Sequence, residues 1–479
     1  MTTLVLRSAS LLALTILLFS AARPQDQNSD TSEFDRRIQS TVDHMFQQFD
    51  RELGTYIFTD EPSEKADSCT ESDEETDTEI VDPHAHHSRS SDRGRSNYFA
   101  ASPESFIHRN STTIYPWYPT SDDVLFRYNR VEGLFLGLNS PKQYHWDGHH
   151  LNVFGSGGYG FAEHRWRYGG GIANQFADGN RIFEIGAEGH SLTDTKDQWI
   201  AIDEENNLSA LLLRSDYHDY YGREGLSLWS ALYLRSGNTD AQVRVAYLND
   251  RYRSLDRNAD WALFGDDRVF RENPAIDDGT MRSILASVDA HHVRQKKYMT
   301  TGWSAVASAE FAGKTFGGNF GFNRYILDLR RYQPISDYDN LNLRVRAASA
   351  TGDVPTQKGF ELGGISTMPA YAFKEFSGNR MLLMNAEYVV NGKLFDDSGV
   401  PSWLLRNINL ILFYDAGYTG TEPSDNQAIA GFGDMTTRAV KSDWGVGAGT
   451  RDGKIRLGFA WRTDVSAPVR VFLRLERPF

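Results

Sequence analysis

Three residues of types that catalyse acyl transfer lie near one another in the sequence: His218, Asp219 and Ser227. A serine nucleophile needs a base within hydrogen-bond reach and a sharp turn that exposes its hydroxyl. The chain contains no Gly-x-Ser-x-Gly turn, and proximity in sequence alone does not make a catalytic triad. We therefore predict no enzyme activity and assign no catalytic residue.

Metal and cofactor motifs are equally weak. His84, His86 and His87 could hold a transition metal, but they lie in an acidic, polar stretch for which a solvated linker is the simpler interpretation. Cys69 is the only cysteine, so neither an intramolecular disulfide nor a thiolate cluster can form. The glycines at 155–160 lack the strand–turn–helix context of a dinucleotide loop. We expect no cofactor and no bound metal.

The first residues predict export. Arg7 precedes an apolar run over 11–19, and small residues follow at 20–22, as in a cleaved signal peptide spanning 1–22. The alternative is an uncleaved anchor, but the apolar run is far shorter than the roughly 20 residues that cross a bilayer. The formal net charge of −14 argues against a nucleic-acid partner.

Residues 23–122 form a separate region, predicted to be a periplasmic extension. Apolar residues recur at helical spacing over about 33–53, which predicts an amphipathic helix. The helix either packs against the following domain or a partner, or is marginal in isolation. Residues at about 60–112 are rich in Ser, Asp, Glu and Thr and predict a disordered acidic linker.

From about residue 123 to 479 the hydrophobic pattern changes to period two. Between 341 and 347, for example, Leu343 and Val345 alternate with Asn342, Arg344 and Arg346. Alternate side chains of a strand point to opposite faces, so each segment has one apolar and one polar face. The segments run about 10–13 residues, the length that crosses a bilayer at a tilt. The predicted fold class is all-β: a closed antiparallel transmembrane β-barrel.

Fifteen strands follow from this pattern, and a weaker sixteenth lies within 206–220. An even number suits a single-chain barrel, since closure leaves no unpaired edge in lipid. Long connections near 194–222, 253–280, 352–379 and 419–440 alternate with short turns. The fifteen strands are predicted near 127–138, 150–161, 165–177, 181–193, 223–235, 241–252, 281–293, 299–312, 319–333, 340–351, 380–390, 408–418, 441–450, 454–462 and 468–479.

The last third of the chain resembles the surface-antigen barrel domain of the Omp85 superfamily, which includes BamA-type insertases and two-partner secretion transporters. Three blocks carry the resemblance: 362–371, 378–388 and 413–417, which begin with Leu-Gly-Gly, Gly-Asn-Arg and Phe-Tyr-Asp. A terminal aromatic, Phe479, closes the final alternating strand as in outer-membrane barrels. The resemblance covers about 340–479 well and 125–340 only by strand pattern.

In this family, the loop after the first block folds into the barrel, and its tip arginine meets acidic groups on the wall. Here Pro369 takes the place of that arginine, while Glu387 and Asp415 match the two wall acids. We predict that Lys374 supplies the missing cation by pairing with either acid, with Arg380 as a second candidate; the alternative is that both acids are hydrated. The predicted loop and wall residues also include Gly363, Gly364, Tyr371 and Gly378.

The resemblance implies a bacterial outer-membrane protein that inserts, translocates or displays other envelope components. Residues 25–122 show no pattern of the periplasmic POTRA modules through which family members recognise clients, so recognition by that route is not expected. A passive or substrate-selective channel is the first alternative, and an outer-membrane enzyme is the second. The partners implied are outer-membrane lipid and lipopolysaccharide, the barrel-assembly machinery and an envelope protein client.

Removing Phe479, or replacing it with a charged residue, should reduce assembly into the membrane, because the terminal aromatic shares the apolar face of its strand. The matched control is a change at Glu476, which lies on the opposite face. Assembly can be measured as the fraction of protein whose gel migration changes on heating. Equal loss in both variants would contradict the prediction.

Overall fold

The structure is a computed structural model that describes residues 119–121, 124–237, 239–264, 268–295, 299–398, 405, 407–433, 435–451, 453 and 455–475. All of them lie within one compact unit, Arg89–Phe479. The predicted signal peptide, the 33–53 helix, the acidic linker and Phe479 lie outside the described residues.

Seventeen strands form one sheet, and each pairs antiparallel with the strand before it in the order. The first eight are β1 (Pro119–Ser121), β2 (Val124–Asn129), β3 (Gly133–Ser140), β4 (Asp147–Gly160), β5 (Arg165–Asp178), β6 (Arg181–Thr195), β7 (Tyr220–Ser236) and β8 (Thr239–Ser254). The next four are β9 (Gly279–Gln295), β10 (Thr300–Ala312), β11 (Phe322–Pro334) and β12 (Asp339–Gly352).

A separate two-stranded hairpin, β13 (Phe360–Leu362) and β14 (Phe376–Gly378), interrupts the order, so β12 pairs with β15. The sheet then continues through β15 (Arg380–Asn391), β16 (Ile408–Gly420), β17 (Lys441–Thr450), β18 (Ile455–Arg462) and β19 (Arg470–Leu475). Apart from the three-residue β1, the sheet has sixteen strands, which confirms the predicted number. The pairings among the described residues run from β1 to β19 and include no ladder that joins the two ends.

The number of strands is right, but two of the predicted strands are wrong. The segment 127–138 is a hairpin of β2 and β3. Its turn forms because the Asn129 side chain accepts hydrogen bonds from the backbone N–H groups of Val131 (3.0 Å) and Glu132 (2.8 Å). Gly133 then adopts φ +63°, a conformation that favours glycine.

The weak pattern at 206–220 belongs to a helix, α1 (Asp203–Leu213). Asp203, Glu204 and Glu205 occupy its first turn, where negative charge is favourable because it lies at the positive end of the helix dipole. The helix ends at Arg214, whose φ of 55° is left-handed. None of the helices in the described ranges is long and apolar enough to cross a membrane.

The two faces of the sheet have opposite polarity, and the apolar face is the exposed one. In β12, Leu343 and Val345 are 40% and 37% exposed, whereas Arg344 and Arg346 are 1% and 2% exposed. In β4, Val153 is 72% exposed. Soluble proteins bury apolar residues and expose charge. This inverted pattern is the one expected of strands that face lipid on one side and a filled polar interior on the other.

Four long connections lie at the same end of the strands. The segments 196–219, 255–278, 353–379 and 421–440 join β6 to β7, β8 to β9, β12 to β15 and β16 to β17. Every second connection of an antiparallel sheet lies at the same end of the strands, so these four share one end with the shorter connection 313–321. The predicted long connections are therefore confirmed, and they can contact one another.

Val153→Arg should impair folding into lipid vesicles, because a charged residue near the middle of a lipid-facing strand costs about 2–4 kcal/mol. Val269 is the matched control: it is 73% exposed but lies in the 255–278 connection, so Val269→Arg should fold like the wild type. The measurement is the heat-modifiable fraction after refolding into vesicles. If both variants fold equally well, the exposed face of β4 does not contact lipid.

Candidate functional site

The segment 363–375 between β13 and β14, called here the inner loop, packs against the buried face of the sheet. Gly363 and Gly364 begin it with φ values of +114° and +84°. A Cβ atom on Gly363 would lie 2.4 Å from the carbonyl oxygen of Ala372, so a side chain has no room there. At the other end, a Cβ on Gly378 would lie 2.3 Å from the carbonyl oxygen of Gly420. The glycines of the blocks 362–371 and 378–388 therefore lie where the loop is too tightly packed for a side chain.

The tip of the inner loop is held by hydrogen bonds to neighbouring strands. The backbone N–H of Ala370 donates to the Asp443 carboxylate on β17 (2.7 Å). The Tyr371 hydroxyl donates to the Ser442 carbonyl (3.0 Å). On β15, the Asn385 amide donates to the Thr367 carbonyl (3.0 Å). No charged side chain of the loop takes part in these three contacts, so the tip is held by neutral donors and acceptors of the loop.

The two acids predicted on the wall both lie on the buried face. Glu387 forms an ion pair with Arg456 of β18, and Asp415 accepts a hydrogen bond from the Asn385 amide (2.7 Å). Pro369 helps to line a polar cavity of about 40 Å³ together with Glu387, Asp415 and Arg456. Arg456 of β18 thus provides Glu387 with the guanidinium group that Pro369 cannot provide.

The predicted pairing of Lys374 with Asp415 or Glu387 is wrong. The Lys374 ammonium group instead contacts Asp197 (2.7 Å), Glu361 (2.9 Å) and Asp219. Lys374 lies at the base of the inner loop, so its side chain reaches the 196–219 connection rather than the wall of the sheet. Arg380, the second candidate cation, donates to the backbone carbonyls of Ala430 (2.9 Å) and Gln427 (3.1 Å) and so holds the 421–440 connection.

The Lys374 cluster is nearly closed to solvent. The side chains of Lys374 and Asp197 are 8% and 1% exposed. Burial disfavours a charged ammonium, but the carboxylates of Asp197, Asp219 and Glu361 outweigh it and hold the pKa of Lys374 above its ordinary value. Lys374 also adopts a φ of +54°, which is unfavourable for a residue other than glycine. The three carboxylates stabilise a backbone conformation that the sequence alone would not favour.

The 196–219 connection also packs against the buried face. The Trp199 ring lies under the Arg346 guanidinium, 4.1 Å from the ring centre, a cation–π contact. The Ser366 hydroxyl of the inner loop bonds to the Ile200 carbonyl. Asp197, Asp443 and Arg456 were not among the predicted site residues, because their partners are distant in the chain. The strand predicted at 441–450 contains Asp443, but alternation alone does not identify its partner.

The serine, histidine and aspartate that might have formed a triad have separate surroundings. The His218 ring contacts the Ala201 carbonyl (2.8 Å), and Asp219 contacts Lys374, Arg130 and Arg271. Ser227 lies on β7 and is fully buried. The glycines at 155–160 lie within β4, where they are part of a strand.

The comparison with protein families gives one match. Residues 281–465 match the model of the Omp85 superfamily domain. The matched region includes most of β9, then β10–β18 and the whole inner loop, so it extends the resemblance seen in the sequence towards the amino terminus.

Among solved structures, BamA from Haemophilus ducreyi lacking POTRA domains 1–3 is similar at 12% identity, over 72% of this chain and 67% of that chain, with a TM-score of 0.44. CdiB from Acinetobacter baumannii is similar at 13% identity, over 74% of this chain and 58% of that chain, with a TM-score of 0.37. CdiB from Escherichia coli is similar at 13% identity, over 74% of this chain and 62% of that chain, with a TM-score of 0.36. No curated protein matches the sequence.

Lys374→Met should release the base of the inner loop, because it leaves three carboxylates without their shared cation; removing one partner of a buried pair costs about 3–5 kcal/mol. The matched control is Lys314→Met, since Lys314 is 67% exposed and pairs with Asp353 (3.0 Å); such pairs contribute about 0–1 kcal/mol. The measurement is protease cleavage within 363–375 of the folded protein. Equal cleavage rates in both variants would contradict the role of the cluster.

Proposed function

We propose that this chain is an outer-membrane β-barrel of the Omp85 type that inserts, translocates or displays other envelope components. The observation that carries the proposal is the match of residues 281–465 to the model of the Omp85 superfamily domain. The exposed apolar face of the sheet supports a location in a bilayer, because in water such a face would cause aggregation. Closure of the sheet into a barrel is part of the proposal, since an open edge in lipid would leave backbone groups unpaired.

The buried face supports a gated protein rather than a permanently open channel. Side chains that line a wide aqueous pore are hydrated, but Arg344 and Arg346 are almost completely buried. They contact Asp328 at 2.6 Å each, and Trp199 of a long connection covers Arg346. The interior is therefore occupied by paired charges and by inward-folded loops, which must move before anything passes.

A substrate-selective channel remains the second candidate, and the observation that favours it is the polar cavity beside Pro369, which a loop movement could widen. The proposal includes no catalytic role and no cofactor. The partners proposed are outer-membrane lipid and lipopolysaccharide, the barrel-assembly machinery for its own insertion, and at least one envelope protein client.

The test compares a host strain that lacks the protein with the same strain complemented by the wild-type gene. Quantitative mass spectrometry of outer-membrane and surface-exposed proteins should show loss of a defined set of components, restored on complementation, while uptake of small solutes is unchanged. An unchanged protein composition combined with reduced uptake of a solute would contradict the proposal and favour the channel.

A further inference from the structure

A lysine of a short connection enters the interior of the sheet. Residues 141–146 join β3 to β4 at the end of the strands opposite to the four long connections. The Lys142 ammonium group of this connection donates a hydrogen bond to the Glu184 carboxylate of β6 (2.8 Å). The side chains of Lys142 and Glu184 are 4% and 0% exposed, so the ion pair is closed to solvent.

Aromatic rings also surround this ammonium group. The ring centres lie 5.0 Å (Tyr144), 5.8 Å (Phe154), 5.4 Å (Trp229) and 5.9 Å (Tyr233) from the Lys142 nitrogen. A ring face attracts a cation, and the attraction increases when water is excluded. Several rings around one ammonium group are the arrangement with which proteins bind ammonium-bearing ligands. Glu184 and these rings are called here the ammonium cage.

The carboxylate of the ammonium cage is oriented by the strands. The Trp229 indole N–H of β7 and the Gln175 amide of β5 donate to its two oxygens (2.7 and 2.8 Å). Both donors are neutral, so they orient Glu184 without compensating its charge. A buried carboxylate needs a cation as well, and Lys142 of the connection provides one. The strands thus provide the site, and the connection provides the occupant.

Two glycines make room for rings of the ammonium cage. A Cβ atom on Gly186 of β6 would lie 2.2 Å from the Trp229 ring, and one on Gly171 of β5 would lie 2.5 Å from the Phe154 ring. No side chain fits at such distances, so the two rings can lie against the sheet because these positions are glycines. The positions of these rings therefore do not depend on residues 141–146.

The connection can leave the ammonium cage without disturbing the sheet. Residues 141–146 belong to no strand, so no ladder breaks when they move. Gln175 also holds the connection: its amide donates to the Gln143 carbonyl (3.1 Å), and its side-chain oxygen accepts from the backbone N–H of His145 (3.3 Å). These are single hydrogen bonds between neutral groups, which are weaker than a charged one. A second ammonium group could therefore compete with Lys142.

We propose that the ammonium cage binds a lysine side chain of an extended segment of another envelope protein, and that Lys142 occupies the cage at rest as a tethered substitute. This inference rests on the proposed function and names the chemistry by which a client is recognised. In an outer-membrane barrel the short turns lie on the periplasmic side. The connection 141–146 therefore lies at the end where exported proteins arrive.

The position of the ammonium cage favours a polypeptide over a lipid headgroup. Phe183 and Ile185, the neighbours of Glu184 in β6, are 42% and 52% exposed on the lipid-facing side. Because successive side chains of a strand point to opposite faces, Glu184 points to the interior. A polypeptide in the interior reaches this site, whereas a lipid on the outer face does not.

The experiment measures whether the ammonium cage binds a lysine once Lys142 is removed. The receptor is the full chain with Lys142→Ala in detergent micelles, and heat modifiability establishes that it is folded. The probe is a fluorescent peptide with the sequence of residues 139–146, compared with the same peptide carrying methionine in place of its lysine. Fluorescence anisotropy gives both dissociation constants for Lys142→Ala, for the wild type and for Lys142→Ala combined with Glu184→Gln. The matched control is Lys314→Ala, which removes an exposed lysine.

Lys142→Ala should bind the lysine peptide on the order of tenfold more tightly than the methionine peptide, because the ring faces and Glu184 attract the cation. The wild type and Lys314→Ala should bind the lysine peptide on the order of tenfold more weakly than Lys142→Ala, because their tethered Lys142 competes with it. Glu184→Gln should remove the preference for lysine. Equal affinity of folded Lys142→Ala for both peptides, or equal affinity of Lys142→Ala and the wild type for the lysine peptide, would overturn the proposal.

A second measurement uses the wild type and applies if Lys142→Ala does not fold. Tyr144 is 6% exposed, so chymotrypsin cleavage after Tyr144 reports release of the connection. Cleavage should be several times faster in n-butylammonium chloride, whose cation copies the end of a lysine side chain, than in sodium chloride at the same concentration. Equal rates would overturn the proposal, and so would stronger competition by glycerophosphoethanolamine, which would assign the site to a lipid headgroup. These results leave the envelope role untouched, because the deletion strain tests that role separately.

Discussion

The charges on the buried face of the sheet determine where the long connections lie. A buried charge is tolerated only when an opposite charge or several hydrogen-bond partners meet it. Some of these charges pair within the sheet, as Asp328 does with Arg344 and Arg346. Others find partners in the connections: Arg474 of β19 with Glu205, and Glu310 of β10 with Lys358. The connections therefore pack onto the buried face because the charges there would otherwise be unpaired.

This constraint explains how the chain accommodates Pro369. In the family pattern an arginine at the tip of the loop meets acids on the wall. Here Arg456 of β18 pairs with Glu387, so a cation of the sheet takes the place of the arginine of the loop for this acid. The tip is left with hydrogen bonds such as that from Ala370 to Asp443, each of which contributes about 1 kcal/mol. The strong electrostatic contact of the loop is made by Lys374 at its base. The tip carries no cation, so a movement of the tip breaks no ion pair of the loop.

The sequence predicted the strands well, because period-two alternation is a local pattern that can be recognised without knowing the fold. The resemblance to the family also placed Glu387 and Asp415 on the wall, and both lie on the buried face of the sheet. The sequence missed the hairpin at 129–133, where alternation continues through a turn that depends on the Asn129 side chain. It also took a helix for a weak strand over 206–220.

The pairings of the site could not be predicted in the same way. Lys374 and Asp197 are separated by 177 positions, and Arg474 and Glu205 by 269. Their contact depends on which connections share an edge of the sheet and how far each folds inward. Several acids were compatible with Lys374 on charge alone, and only the structure distinguishes those at the base of the loop from those near its tip.

We propose that inward-folded connections close the interior of the protein at rest. Conductance of the purified full chain in planar lipid bilayers tests it most directly, with a variant in which residues 363–375 are replaced by a short Gly-Ser linker as the comparison. We expect no steady conductance from the wild-type protein and an open pore in the variant. A steady open pore in the wild-type protein, unchanged by removal of the loop, would contradict it.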